Sequence, residues 1–420
     1  MVETIQMLPG VTLRCFRDSR FKQSSLSIQF LRPLKEKEAA LNALIPVVLL
    51  RGCQSAPDLR SITLRLDDLY GASVGALVRK VGDYQTTGLS CSFISDRFTL
   101  DDDALLPSMA VFLRDLLLHP VLENGVFCSD FVESEKKNLI SAIEAQLNNK
   151  RSYAMTQMLQ TMCKDDPFGT PRLGRVADVK AIDATQLYHH YQTVLRESPV
   201  ELFYVGEQAP EVVTAAFKPI FQAIDRAPAS LPPQTPFRGG IAGRHEETME
   251  VAQGKLVMGF TTPITLRDRD FAAMQVLNTI FGSGMTSKLF MNIREKMSLC
   301  YDISSGYHGS KGIIAVNAGI DFDKEALVKE QVLVQLDHCK NGQISDEELT
   351  AAKEALFSSL SGTHDSPGAI ESYYASSVLS GLNKTTAEHH ATIDKVTKED
   401  VAEAAKTLTL HTVYFLKGVS

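Results

Sequence analysis

The chain has 420 residues, 44% hydrophobic and 22% charged, which excludes long disorder, collagen-like repeats and coiled-coil arrays. At roughly 150 residues per domain it has room for about two or three domains, each with its own core. Asp and Glu total 50 against 43 for Lys and Arg, and the net charge of −7 argues against a nucleic-acid or anionic-membrane partner, whose phosphates attract a basic face.

Seven cysteines, at positions 15, 53, 91, 128, 163, 300 and 339, are scattered, odd in number and without a CxxC pair, the usage of reduced thiols in the cytosol. The longest apolar run, residues 43–50, falls far short of the roughly 20 residues that span a bilayer. The opening MVETIQMLPG lacks the basic start and apolar core of a secretion signal. These features point to a cytoplasmic protein with no membrane partner.

In chain order, an apolar helix-length segment covers about residues 38–51 and ends in Arg51-Gly52. An amphipathic segment follows with Leu59, Ile62, Leu66 and Leu69 at helical spacing, then alternating strand sequence to about residue 95. Helices are expected near 102–118 and 127–163, and SPVELFYVG (198–206) reads as a strand. Residues 225–245 hold four prolines and three glycines, so they cannot continue a helix or inner strand and read as an exposed linker.

Beyond the linker the same order returns. An apolar helix at about 268–281 ends in Phe281-Gly282, and an amphipathic helix carries Leu289, Phe290, Ile293 and Met297. Strand sequence follows to about 320, then helices near 323–340 and 345–381 and a closing strand at 411–418. An offset of 230 places Gly52 on Gly282 and Gly71 on Tyr301. The economical reading is a tandem duplication: an N-terminal domain (1–224), a linker (225–245) and a homologous C-terminal domain (246–420). Two strands before two helices, then strands, then helices, predict an α+β fold, helices packed on a largely antiparallel sheet in each domain.

Most catalytic constellations are missing. There is no GxSxG at a strand-to-helix turn, the GASVG at 71–75 running instead into strand sequence, and no GxGxxG after a strand. The loop Gly282-Ser-Gly-Met-Thr-Ser-Lys288 joins helix to helix and lacks the P-loop order, so it reads as a helix start with Thr286 or Ser287 as cap. The ten histidines include no HxxEH or its reverse, and the adjacent pairs His189–His190 and His389–His390 point about 100° apart on a helix. Arg294 and Tyr301 stand out, near the end of a helix and the start of a strand, where both can face one corner. A guanidinium offers a planar fork to carbonyls or a carboxylate, and a phenol can donate to an oxyanion. Spacing alone fits equally a surface salt bridge and an ordinary strand tyrosine.

The segment FGSGMTSKLFMNIREKMSLCYDISSGY (281–307) closely resembles the C-terminal homology region of the pitrilysin/insulinase family of zinc metallopeptidases, with its small-residue loop, Ser-x-Leu-Phe, Arg-Glu-Lys and Tyr. LLLHPVLENGVF (116–127), DPFGTPRLG (166–174), YVGEQAPEVV (204–213) and the duplicated layout support the resemblance, which covers nearly the whole chain and points to the short bacterial and mitochondrial-processing-peptidase-like branch. It implies the clam-shell family architecture. Active members carry HxxEH on the first long helix and a third ligand, Glu, on a later one. Anchored on Arg51-Gly52, this chain has ALIPV (43–47) there. Ala43 and Val47 stand for the histidines and Pro46 for the base. With Glu135 as the family's leading Glu, the third ligand position is Ala142, or Glu144 after a shift in register. Glu135 then reads as a buried remnant or, more simply, one half of a structural ion pair.

The resemblance thus implies no metal and no cofactor in this chain, and a catalytic residue set that is absent from it alone. Arg294 and Tyr301 match the family's substrate-binding pair. The implied partner is a homologous HxxEH-bearing subunit holding the zinc, with a peptide as substrate; the alternative is a non-proteolytic structural or scaffold subunit of a larger assembly. A stand-alone protease is disfavoured, because residues 1–224 contain only His119, His189 and His190.

Overall fold

The structure, a computed structural model, describes residues 2–100 and 103–418. In chain order it contains β1 (Val2–Leu8), β2 (Val11–Arg17), β3 (Gln23–Pro33), α1 (Glu36–Leu49), α2 (Leu59–Asp68), β4 (Ser73–Val81) and β5 (Tyr84–Ile94). Next come α3 (Leu105–Leu118), a small ribbon of β6 (Leu122–Glu123) and β7 (Val126–Phe127), α4 (Ser129–Glu144), α5 (Lys150–Met162), α6 (Val176–Ala181), α7 (Ala184–Glu197), β8 (Val200–Gly206) and α8 (Pro210–Gln222). The helix expected from near 102 thus begins at Leu105, residue 102 itself lying outside the described residues, and the span 127–163 is two helices rather than one.

The remaining elements are β9 (Gly243–Met249), β10 (Gly254–Thr261), α9 (Phe271–Asn278), β11 (Asp302–His308), β12 (Ile313–Ile320), α10 (Glu325–Lys340), α11 (Asp346–Gly362), α12 (Pro367–Ser380), α13 (Thr386–Asp394), α14 (Lys398–Lys406) and β13 (Thr409–Gly418). Between α9 and β11 run two π-helical segments, Thr279–Ser283 and Leu289–Lys296. The second is where the sequence predicts an ordinary amphipathic helix, and such wide turns are concentrated at functional positions.

The fold is α+β. A six-stranded sheet has the order β1-β2-β8-β3-β5-β4 and a five-stranded sheet the order β11-β12-β10-β13-β9. Pairing is antiparallel except for β2 with β8 and β9 with β13. Three strands, not the expected two, precede α1. The chain forms two compact units, one built from residues up to Ile143, Pro171–Pro233 and His364–Ser376, the other from Glu144–Thr170, Gln234–Thr363 and Ser377 onward. Residues 225–242 have no helix or strand, while 243–245 already belong to β9.

Within the first unit, alternate residues of the sheet face a large core under α1, α3, α7 and α8: Leu26, Ile28 and Phe30 from β3, and Leu89, Cys91 and Phe93 from β5. The opposite parity of β3 places Ser27 and Gln29 on the other face, both buried. Residues 364–376 supply the buried Glu371 to them. Its Oε1 accepts from Ser27 Oγ (2.6 Å), Gln29 Nε2 (2.9 Å) and Arg79 Nη1 (2.9 Å), and its Oε2 from Arg79 Nη2 (2.7 Å).

In the second unit Leu256, Met258 and Phe260 of β10 face one core, and Val257 faces another made with Ala154, Met158 and Met162 of α5. A buried ion pair fastens the end of the α5 segment. Lys311 Nζ lies 2.9 Å from Asp166 Oδ1 and donates to the Thr235 carbonyl at 2.9 Å. The same carboxylate accepts from the backbone N–H groups of Phe168 and Arg238, both at 2.9 Å. Removing one partner of such a pair strands a charge away from water. Lys311→Met is therefore expected to destabilise the protein by about 3–5 kcal/mol, read as a lowered midpoint in equilibrium urea unfolding.

Candidate functional site

The α1 helix is sealed into the core of the first unit. Ala43 is 2% exposed, Pro46 is buried and Val47 half-buried. None of the three carries a metal-ligating atom, and Ala142, on α4, is exposed. Pro46 has no N–H, so the Asn42 carbonyl loses its helical donor. Thr87 Oγ1 of β5 supplies one instead, at 2.7 Å. The Asn42 amide donates to Gln85 Oε1 (2.8 Å), Gln85 Nε2 donates to the Ala39 and Arg172 carbonyls, and His190 Nε2 lies 2.8 Å from Asn42 Oδ1. A neutral hydrogen-bonded network thus occupies the inner side of this helix.

Glu135 is buried on α4 and binds Arg51, with Nη1 3.2 Å from Oε1; the same guanidinium lies 5.4 Å from the Phe131 ring centre. Asn138 Nδ2 donates to the other oxygen at 3.1 Å. Among the described residues no group of three His, Cys, Asp or Glu side chains is placed to hold a metal ion. The residues at the implied zinc positions do not fit one.

Burial lowers the His190 imidazole to about 4, despite the opposing carboxylate of Glu38, and lowers His389 to about 4 as well, where Nε2 meets Gln275 Oε1 at 2.6 Å. Because the folded value lies below the ordinary 6.5, the unfolded chain takes up these protons first as pH falls. Their contribution to stability is whole above about pH 6.5 and is lost progressively towards about pH 4. The urea midpoint is expected to fall across that window. His190→Gln, which keeps a donor for Asn42, should flatten the fall relative to the unmutated chain.

The second unit presents Arg294 and Tyr301 differently. The π-helical segment Leu289–Lys296 buries Leu289 and Ile293 and leaves Arg294 at its exposed edge. The segment closes with the Leu299 N–H on the Ile293 carbonyl (3.0 Å) and Ser298 at φ +52°, a left-handed turn made without glycine. That turn brings the chain back so that Arg294 Nε donates to the Tyr301 carbonyl at 3.0 Å. Nη1 is held by Glu295, and the guanidinium lies 4.8 Å from the Phe290 ring centre. Among the described residues Nη2 makes no hydrogen bond.

Tyr301 is 54% exposed, and its hydroxyl donates to Asp321 Oδ1 at 2.8 Å. Asp321 is also paired with Lys324 at 2.6 Å. The Asp321 carboxylate raises the phenol above its ordinary value, so Tyr301 remains a protonated donor at neutral pH; Lys324, then Tyr301, lower Asp321. Burial lifts the neighbouring Cys300 thiol to about 11, which keeps it protonated and a poor nucleophile.

Both Arg294 and Tyr301 line two adjoining cavities of about 470 Å³ each. One is completed by Glu295, Ser298, Leu299, Cys300, Asp321 and Lys324. The other is walled by the 282–285 loop, Phe290, residues 302–304 and Arg151 of α5. The loop holds no phosphate cradle: Lys288 is spent on Glu348 (2.7 and 2.9 Å), and Ser287 Oγ accepts weakly from the Phe290 N–H at 3.4 Å. Asp321, Lys324 and Arg151 had no motif to mark them, because strand pairing and the placement of α5, not spacing, bring them here.

Residues 181–356 match the family described as the peptidase M16 inactive domain. The chain is similar to the probable inactive metalloprotease YmfF of Bacillus subtilis (strain 168), 31% identical over 419 residues that cover 97% of this chain and 96% of that protein. Among solved structures, a conserved protein from Enterococcus faecalis V583 superposes with a TM-score of 0.91 at 27% identity, over 100% of this chain and 99% of that one. A peptidase M16 inactive domain from Pseudomonas fluorescens superposes with a TM-score of 0.82 at 19% identity, covering 100% and 98%.

Proposed function

This chain belongs to the peptidase M16 family as a member without the zinc site, and on that premise we propose that it is the zinc-free subunit of a heterodimeric, cytoplasmic zinc metallopeptidase that processes or degrades peptides. The partner would be a homologous HxxEH-bearing subunit, supplying the metal, its ligands and the water-activating Glu. This chain would contribute substrate binding and oxyanion stabilisation.

The observation that carries this reading is the state of Arg294 and Tyr301 in a chain with no means of using zinc itself. Both side chains are open to the same cavities, and neither is consumed by packing. Arg294 keeps Nη2 free for a substrate carbonyl while Nε and Nη1 fix its plane. Tyr301 is a protonated phenol whose single acceptor, Asp321, retains Lys324 when the phenol turns away. Donation to a developing oxyanion then exchanges one hydrogen bond for another without leaving the carboxylate unpaired.

Two measurements test the proposal. Affinity purification from the native cytosol is expected to recover an HxxEH-bearing homologue in about equal amount. In the reconstituted pair, Arg294→Ala and Tyr301→Phe are each expected to lower peptidase activity by about 10²–10³-fold, the usual loss of one oxyanion donor, without dissociating the subunits. Full activity in both variants would sink the substrate role and favour the scaffold reading, in which the pair is inherited and unused.

A further inference from the structure

The second cavity beside Arg294 contains a feature that the assignments above leave unused. Arg151 is the second residue of α5, whose start is fixed twice over. Asn149 Oδ1 caps the helix by accepting from the Ser152 N–H at 3.0 Å, and the Arg151 carbonyl accepts from the buried Asn317 Nδ2 of β12 at 3.2 Å. From that anchored backbone the side chain reaches β11, where Nη2 donates to Ser304 Oγ at 2.5 Å and Nη1 lies 3.4 Å from Asp302 Oδ1. The side chain is nonetheless 46% exposed, and it lines the same cavity of about 470 Å³ as Arg294.

The charges facing this cavity do not cancel. Its lining holds two guanidinium groups, Arg151 and Arg294, and one carboxylate, Asp302. Asp302 is itself shared, because Lys255 Nζ lies 4.0 Å from its Oδ2. Glu295, which holds one prong of Arg294, lines the neighbouring cavity and not this one. The rest of the lining is mixed: Met285 is 77% exposed, Phe290 lies under the Arg294 guanidinium, Gly282 and Gly284 add no side chain, and Ser283 and Ser304 add hydroxyls. Two guanidinium forks facing a cleft of this size, with Met285 and Phe290 beside them, are suited to a carboxylate on a short aliphatic stem.

We propose that Arg151 and Arg294 form a carboxylate-selecting subsite, so that the peptide bound beside Tyr301 is preferred when it places an acidic group in this cavity. The inference rests on the substrate role proposed above and adds the chemical class of substrate. Arg151 acts here as a specificity determinant.

The test is fluorescence polarisation of the full chain with labelled decapeptides, acetylated and amidated, in which a single Glu is moved through the sequence and compared with Gln at each position. A further arm carries Gln only and a free C-terminus, which separates a side-chain carboxylate from that of a peptide end. At one position, or at the free end, the carboxylate peptide is expected to bind about tenfold tighter than its neutral match, the scale of one charge-assisted hydrogen bond. Arg151→Gln should abolish that ratio, and Arg151→Lys should retain part of it. Peptides that bind with no carboxylate preference, or a preference that survives Arg151→Gln, would overturn the subsite and leave the substrate role standing. Failure of every peptide to bind would instead remove the substrate role, and the subsite with it.

Discussion

A sheet has two faces, and in this protein both must be covered. In the second unit the central strands are apolar on both sides: Val413 and Phe415 of β13 turn to one core, Tyr414 and Leu416 to the other. Such strands cannot leave one face to water, because each buried Leu, Ile or Phe side chain contributes about 1.5–3 kcal/mol only while water is excluded. The cover is α5 (Lys150–Met162), a helix far ahead of both β10 (Gly254–Thr261) and β13 (Thr409–Gly418) in the chain. Its fit demands a missing side chain. A Cβ on Gly259 would come within 2.5 Å of Met162 Sδ and 2.8 Å of Met158 Sδ. The rest of the unit depends on this contact, since α5 also delivers Arg151 to the cavity wall and Tyr153 to Glu247, 2.8 Å away.

The first unit meets the same constraint with different chemistry. The outer face of its sheet carries Ser27 and Gln29, which an apolar helix could not cover without stranding their polar groups. Residues 364–376 answer with Glu371, whose carboxylate collects two prongs from Arg79 and one donor each from Ser27 and Gln29. A buried carboxylate is tolerable only when it is satisfied this fully. One sheet is therefore closed by methionine packing and the other by a charged network.

Local pattern was legible in the sequence because periodicity survives where burial is one-sided. The helix after the first apolar segment, the strands β8 and β13 and most of the linker read at 225–245 follow from local pattern, whereas α8 after β8 does not. Long-range placement is not local, and the two compact units divide the chain at Ile143, Thr170, Thr363 and Ser376 as well as at the linker. Nothing in the composition of 144–170 distinguishes a helix that covers one sheet from a helix that covers the other. The π-helical turn was hidden for a related reason: LFMNIREK has ordinary helical spacing, and Ser298 occupies a left-handed position that a sequence reading reserves for Gly or Asn. The motif identified Arg294 and Tyr301, while Asp321 and Arg151 depended on strand register and on α5.

The absence of zinc ligands on α1 and the presence of Arg294 and Tyr301 are physically separable. A histidine or glutamate facing inward on α1 without a metal would be a buried, partly charged group, so once the metal is gone the helix gains by becoming apolar. Ala43, Pro46 and Val47 do so, and the one defect they introduce, the unpartnered Asn42 carbonyl, is repaired by Thr87 from the adjoining sheet. No such pressure acts on the second unit. Tyr301 stands in solvent with an acceptor of its own, and Arg294 is held by the Tyr301 carbonyl, Glu295 and Phe290. The pair costs the fold no desolvated charge. It can persist with or without use. What the local geometry leaves open is one prong: Glu295 holds Nη1 of Arg294 and the Tyr301 carbonyl holds Nε, while the Tyr301 hydroxyl is engaged by Asp321, which Lys324 also pairs.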